Sequence, residues 1–152
     1  MSLLDTLIYE FEKDDYWIST DKSKLDIDLI HRYLSQDSYW AENIPREIIE
    51  RSIANSLSFG IYHEHRQIGF ARVITDFATY GYLGDVFVSA AYRGLGLSKW
   101  LMDCIFNQIP ELQGFRRWSL ATADAHGLYR YYGFADLARP ERMMEKINFT
   151  KY

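Results

Sequence analysis

Residues 57–89 carry three runs that read as strands, Leu57–Tyr62, Gln67–Thr75 and Tyr80–Ser89, separated only by His63-Glu64-His65-Arg66 and Asp76-Phe77-Ala78-Thr79. Each run is rich in the β-branched and aromatic residues that pack well on a pleated surface. A parallel crossover needs a dozen or more residues, and connections this short leave no room for one. The three strands are therefore expected to be consecutive and antiparallel, a meander around which the rest of the chain must fold.

The flanking segments supply the other layers. Ile8–Ser19, again aromatic and β-branched, predicts a strand. Two helices are expected next. The first starts at Asp26 or Asp28 and sets Ile27, Ile30 and Leu34 on one face; the second has Pro45 in its first turn, with Ile48, Ile49, Ser52, Ile53 and Ser56 at helical spacing. Between them lies an aromatic loop, Ser38-Tyr39-Trp40-Ala41-Glu42. Beyond the meander, Leu97, Trp100, Leu101, Cys104 and Ile105 fall at i, i+3, i+4, i+7 and i+8, an amphipathic helix stopped by Pro110. A strand over Phe115–Ala121, a short helix over Asp124–Tyr131 and a final strand or pair over Phe134–Ile147 complete the expectation. The class is mixed α+β, a mostly antiparallel sheet flanked by helices. With 152 residues, no internal repeat and no linker-like run, one domain spanning 1–152 is expected.

Charge and cysteine content limit what such a domain does. Twenty-one Asp+Glu against 17 Lys+Arg give a formal charge of −4, the wrong sign for capturing nucleic acid by bulk electrostatics. One cysteine, Cys104, excludes an intrachain disulfide and any multi-cysteine zinc site; on the apolar helical stripe it reads as a core thiol. His63 and His65 alternate but lack a third ligand nearby, so no metal is expected. The N-terminus has no basic leader and no stretch approaches 18 apolar residues, so neither secretion nor membrane insertion is expected and a cytoplasmic location is. Aromatics at 16% exceed ordinary core use and leave some for a pocket or a homodimer contact.

Arg93-Gly94-Leu95-Gly96-Leu97-Ser98 sits where the third meander strand gives way to the amphipathic helix. Glycines there either serve a tight turn needing positive φ, or let the backbone approach an anion at the helix's free N–H groups with Arg93 as a further donor. The segment lacks the Gly-Lys-Ser/Thr of a phosphate-binding loop and the third glycine of a dinucleotide fingerprint.

The order strand, Arg93-Gly94-Leu95-Gly96-Leu97-Ser98, amphipathic helix, strand, Leu128-Tyr129-Arg130-Tyr131-Tyr132-Gly133-Phe134 resembles the signature of the GNAT superfamily of acetyl-CoA-dependent N-acetyltransferases, over about residues 80–134. The resemblance implies an acyl-CoA N-acyltransferase fold splayed near Val88, with the backbone of Phe87 and Val88 on the pantetheine arm of acetyl-CoA and the amides of Arg93, Gly94, Leu95, Gly96, Leu97 and Ser98 on its pyrophosphate. It implies Tyr129 as proton donor to the departing thiolate. Many members carry Asn where this chain has Thr122. Tyr82-Leu83-Gly84-Asp85 is similar to the corresponding strand of polyamine acetyltransferases, with Gly84 replacing a glutamate. Asp85 is thus the candidate base, or else a bulge contact, with Asp76 in reserve. Asp37, Tyr39 and Trp40 are candidates for binding a cationic small-molecule amine, by charge and cation–π attraction, or else a solvated acid and core aromatics. The implied activity is acetyl transfer to a primary amine; a non-catalytic acyl-CoA sensor and a protein acetyltransferase are the alternatives.

Overall fold

The computed structural model describes residues 2–152. A short helix α1 (Leu3–Thr6) precedes the hairpin β1 (Glu10–Lys13) and β2 (Tyr16–Ser19). The opening segment is thus two strands rather than one, because Asp14 adopts φ 55° and reverses the chain. Helices α2 (Ile27–Arg32) and α3 (Arg46–Ala54) follow, then β3 (Leu57–His63), β4 (Arg66–Thr75), β5 (Tyr80–Val88), α4 (Leu97–Asp103), β6 (Arg117–Leu120) and α5 (His126–Tyr131). Strand order in the six-stranded sheet is the chain order, β1 to β6. All neighbours are antiparallel except β5 and β6, whose connection through α4 makes them parallel.

The caps follow the sequence. Asp26 accepts from Leu29 N–H at 3.0 Å and opens α2, while Pro45 opens α3. The turn after α2 widens, Ser38 N–H donating to Tyr33 O at 3.0 Å, and releases the chain into the Tyr39-Trp40 loop. The turn after α4 widens likewise over Cys104–Gln108 and ends before Pro110.

Two cores cover the two faces of the sheet. Ile30, Leu34, Ile49 and Ile53 from α2 and α3 pack on Phe70 and Phe87. On the other face Leu97, Leu101, Met102, Cys104 and Ile105 from α4 pack on Phe59, Ile61, Val73 and Leu83, with Tyr129 from α5. β3 and β4 are buried on both faces, so they read as continuous apolar runs. Fully buried side chains such as Phe59 and Phe70 each contribute about 1.5–3 kcal/mol.

One expected strand is shortened and another is missing. β6 is confined to Arg117–Leu120. No strand forms over Phe134–Ile147; the segment holds one short turn, Pro140–Arg142, and its side chains beyond Phe134 are exposed. The β pattern in that segment finds no ladder partner among the described residues, and a strand without a partner does not form.

Candidate active site

The sheet opens between β5 and β6. Their register runs Tyr80↔Arg117, Gly81↔Trp118, Tyr82↔Ser119 and Leu83↔Leu120, and then stops. On the β5 side the cause is a bulge: Gly84 faces Arg72 and Phe87 faces Phe70, so Asp85 and Val86 together oppose Ala71. Asp85 adopts φ 54°, a conformation Asp tolerates better than most residues. On the β6 side Thr122 turns the chain away, its Oγ1 accepting from Ala125 N–H at 3.1 Å and, at 3.4 Å, from Asp124 N–H.

Backbone direction decides which peptide groups face this opening. Ser89 N–H donates to Ile68 O at 2.8 Å, and Val88 pairs with Gly69 and Phe87 with Phe70. By antiparallel alternation, Phe87 directs its N–H and C=O toward β4 while Val88 directs its own toward the opening. The Phe87 backbone is therefore not available to a ligand in the opening. Val88 O accepts from Arg93 Nε at 3.1 Å, and Arg93 Nη2 donates to Tyr33 Oη at 2.9 Å. Tyr33 in turn stacks on Phe87, ring centroids 3.9 Å apart. Arg93 thus ties the end of β5 to the end of α2.

Gly94 and Gly96 adopt φ 79° and 78°, and a Cβ built on either meets nothing within 4 Å. Backbone conformation, not crowding, is what requires glycine there. Gly96 caps α4, Trp100 N–H is the first to find a helical partner, Gly96 O at 3.1 Å, and the amides of Leu97, Ser98 and Lys99 precede it. Leu95 projects outward at 57% exposure while Leu97 turns into the core. The turn is an amide-rich surface at the positive end of a helix.

Asp85 is held from two sides. Trp40 Nε1 donates to its Oδ1 at 2.9 Å and Arg72 Nε to its Oδ2 at 2.9 Å. The Arg72 and Asp85 side chains are 18% and 14% exposed. Arg72 was not anticipated from the sequence; its signal is a lone charge inside an apolar strand, facing an acid on the next strand of a meander. Tyr39 crosses the opening, its hydroxyl accepting from Ala123 N–H at 2.8 Å, and its ring meets Trp40 edge-on at 5.0 Å. Tyr39 and Trp40 are therefore the rim of the opening rather than core. Asp37 lies on the exposed turn before them and makes no hydrogen bond to the site.

Tyr129 is buried on the α5 side, 8% exposed, beside Phe134 at 6.1 Å between ring centroids. Burial, reinforced by Tyr39 and Asp124, pushes its phenol up to about 12. It is a proton-bearing donor at neutral pH. Asp76 is elsewhere and otherwise engaged. Its carboxylate accepts from Ala78 N–H at 2.9 Å and from Thr79 N–H at 2.8 Å and Oγ1 at 2.7 Å, bonds that hold it well below the usual carboxylate range. Asp76 is a turn cap whose carboxylate is committed to Ala78 and Thr79 and does not serve as the base. Burial raises the Cys104 thiol to about 12, an inert core sulfur. His63 stacks on Tyr16 and its Nδ1 contacts Tyr92 Oη at 3.1 Å, away from His65.

Comparison with known proteins agrees with this layout. The family model described as an acetyltransferase (GNAT) domain matches residues 54–136. A curated Gibberella zeae protein named "putative acetyltransferase" is 29% identical over 136 residues, covering 77% of each chain. A Xanthomonas campestris crystal structure, described as a "putative acetyltransferase belonging to the GNAT family", is 55% identical, covers 87% of this chain and 92% of its own, and superposes with a TM-score of 0.85. A Clostridium acetobutylicum crystal structure, described as a "predicted acetyltransferase with acetyl-CoA", shares the fold at 15% identity, with a TM-score of 0.55 over 93% of this chain and 94% of its own. A domain match over more than half of the chain, and a relative this similar over nearly all of it, place this protein in the GNAT acetyltransferase family.

Proposed function

We propose that this chain transfers an acetyl group from acetyl-CoA to the primary amine of a small cationic molecule. The observation that carries the reading is the opening itself: β5 and β6 part after Leu83 and Leu120, Val88 directs its peptide group into the gap, and Tyr129 stands buried on the far wall. The Gly94–Ser98 turn suits a pyrophosphate, because its positive-φ glycines leave the amides ahead of Trp100 uncovered. The Clostridium structure's acetyl-CoA supports the same choice of donor.

Acetyl-CoA, when bound, supplies the acetyl group as an activated thioester. Val88 N–H is the donor for oxygen charge that develops during attack, and one such preorganised donor is worth about 3–4 kcal/mol. Tyr129 keeps its proton, since burial raises the phenol to about 12. A thiol ionises near 8.5, so full proton transfer from this phenol to a thiolate is uphill by about 4–5 kcal/mol. Tyr129 therefore steadies the departing sulfur as a hydrogen-bond donor. Asp85 has about four acceptor sites, of which Trp40 and Arg72 occupy two. The remaining sites accept from the incoming ammonium, whose proton leaves through water. Trp40, 40% exposed and fixed by Asp85, presents a ring to the cation.

The test is isothermal titration with acetyl-CoA, followed by a thiol-release assay across a panel of diamines, amino sugars and amino acids. Binding in the micromolar range and thiol release with at least one amine are expected. No binding, or binding with no release above hydrolysis for any amine in the panel, overturns the reading.

A further inference from the structure

Alternation along β4, β5 and β6 sorts their side chains onto two faces. Val73, Leu83 and Trp118 pack in the core under α4, so Arg72, Ile74, Tyr80, Tyr82, Arg117 and Ser119 look to the opposite face. This is the face on which Arg72 and Trp40 hold Asp85. Helices α2 and α3 pack on it at Phe70 and Phe87. Beyond the Asp85 bulge it continues as a strip of sheet, with Ile74 45% and Tyr80 37% exposed. Tyr82, partly buried, lies between Ile74 on β4 and Ser119 on β6. Its ring leans over Gly84, so that a Cβ built there would stand 3.4 Å from Tyr82 Cε1.

The strip is acidic at one end. Asp85 stands at the opening, and the four residues from Gly84 back to Tyr80 carry the strip about 13 Å away from it. None of the six side chains along the way is acidic, and two are basic. Arg72 is paired with Asp85, while Arg117, opposite Tyr80, makes no ion pair among the described residues. Asp76, past the end of β4, is committed to its own turn. A second ammonium carried along this strip would leave water for apolar rings and approach a guanidinium instead of a carboxylate. An uncharged tail loses nothing there and gains contact with Tyr82, Ile74 and Tyr80. Single exposed apolar residues are ordinary, but these three adjoin one another across the strands and lead away from the carboxylate that holds Trp40.

We propose that the acceptor is a primary monoamine with an apolar tail, an arylalkylamine in chemical class, its ammonium at Asp85 and its tail laid across Tyr82 toward Ile74 and Tyr80. The inference rests on the acetyl-transfer reading and adds Tyr82 as the residue that selects the tail. The nitrogen bonds to the acetyl carbon and the carbon–sulfur bond breaks; of the two protons that the ammonium gives up, one goes to water and one to the sulfur.

Thiol release from acetyl-CoA with methylamine, hexylamine, 2-phenylethylamine and 1,6-diaminohexane tests this. From methylamine to hexylamine kcat/KM is expected to rise roughly twofold per methylene, half the free energy of full burial, because the strip is open on one side. The diamine, which is hexylamine with a second ammonium, is expected about tenfold below hexylamine. Tyr82→Ala is expected to raise KM for 2-phenylethylamine about tenfold with little change in kcat, and so to narrow its advantage over methylamine. Ile74→Asp places a carboxylate on the strip at an exposed position and is expected to reverse the order of hexylamine and the diamine; this variant carries the test where Tyr82→Ala does not fold. A wild type that favours the diamine, release confined to amino sugars or amino acids, or preferences that neither variant moves overturns this inference and leaves the acetyl-transfer reading standing. No release with any amine overturns both.

Discussion

Replacing Asp85 by Asn removes the charge of the rim carboxylate while keeping its shape and its tolerance of φ 54°. The Arg72 guanidinium, 2.9 Å away and only 18% exposed, then faces a neutral amide. An exposed ion pair is worth about 0–1 kcal/mol, and stripping one partner from a buried pair costs about 3–5 kcal/mol. This pair lies toward the buried end of that range, but the Asn carbonyl retains one accepting position, so a loss of about 2 kcal/mol is expected. Arg72→Met should cost a similar amount, because Asp85 keeps only the Trp40 indole. Removing both charges leaves neither group uncompensated, so the double variant should lose about 2–3 kcal/mol rather than the sum of about 4. Urea denaturation of the wild type and the three variants measures this cycle, each single loss lowering the midpoint by roughly 1 M at the slope of a domain this size. Additivity within about 0.5 kcal/mol, or an Asp85→Asn protein as stable as wild type, refutes the claim that Arg72 and Asp85 form one coupled unit.

Tyr129→Phe should lower kcat by roughly 10²-fold, the low end of what a positioned proton-bearing group contributes, and leave the acetyl-CoA dissociation constant within about twofold; equal losses in both would show a packing role instead. Gly96→Ala forces an L-residue into φ 78° at about 1–2 kcal/mol, so calorimetry should record a lower Tm and weaker acetyl-CoA binding, although the new methyl meets nothing within 4 Å. Alkaline stability has a definite sign. Burial raises Cys104 and Tyr129 each to about 12 in the folded chain, against ordinary values of 9.0 and 10.0, so the unfolded chain releases protons that the folded chain keeps. Stability is then complete below about pH 9 and falls as pH rises toward 12, by up to about 1.4 kcal/mol per unit for each group. Cys104→Ala should flatten the pH 9–10 part of that decline in chemical denaturation; an unchanged slope would sink the assignment.

The meander was legible because its evidence is local: three apolar runs and two connections too short for anything but reversal. The α4 stripe and the Pro45 start were legible for the same reason. What could not be read depends on register. Asp85 meets Arg72 only because a bulge shifts β5 against β4, and nothing in the order of residues announces which acid will face which base. Trp40 was balanced between core and pocket because its type permits either; the structure settles its place through one hydrogen bond to a residue 45 positions away. Thr122 closes a turn with its hydroxyl. The strand expected after Phe134 has the right pattern but no partner among the described residues, and pattern alone does not form a ladder.

The bulge at Asp85 acts on parity. In an uninterrupted strand Leu83 and Phe87, four residues apart, would point to the same side; here Leu83 joins the layer under α4 and Phe87 the layer under α2 and α3. One supernumerary residue therefore shifts which sequence positions face each core while both halves of the strand stay in register with β4. It also sets whether an odd- or an even-numbered peptide group looks into the gap. Deleting one residue between Gly84 and Phe87 would set Leu83 and Phe87 three apart, still opposite Val73 and Phe70 and still on opposite faces, so layer assignment and the Val88 donor would persist and only the positive-φ bulge that holds Asp85 against Arg72 and Trp40 would be lost.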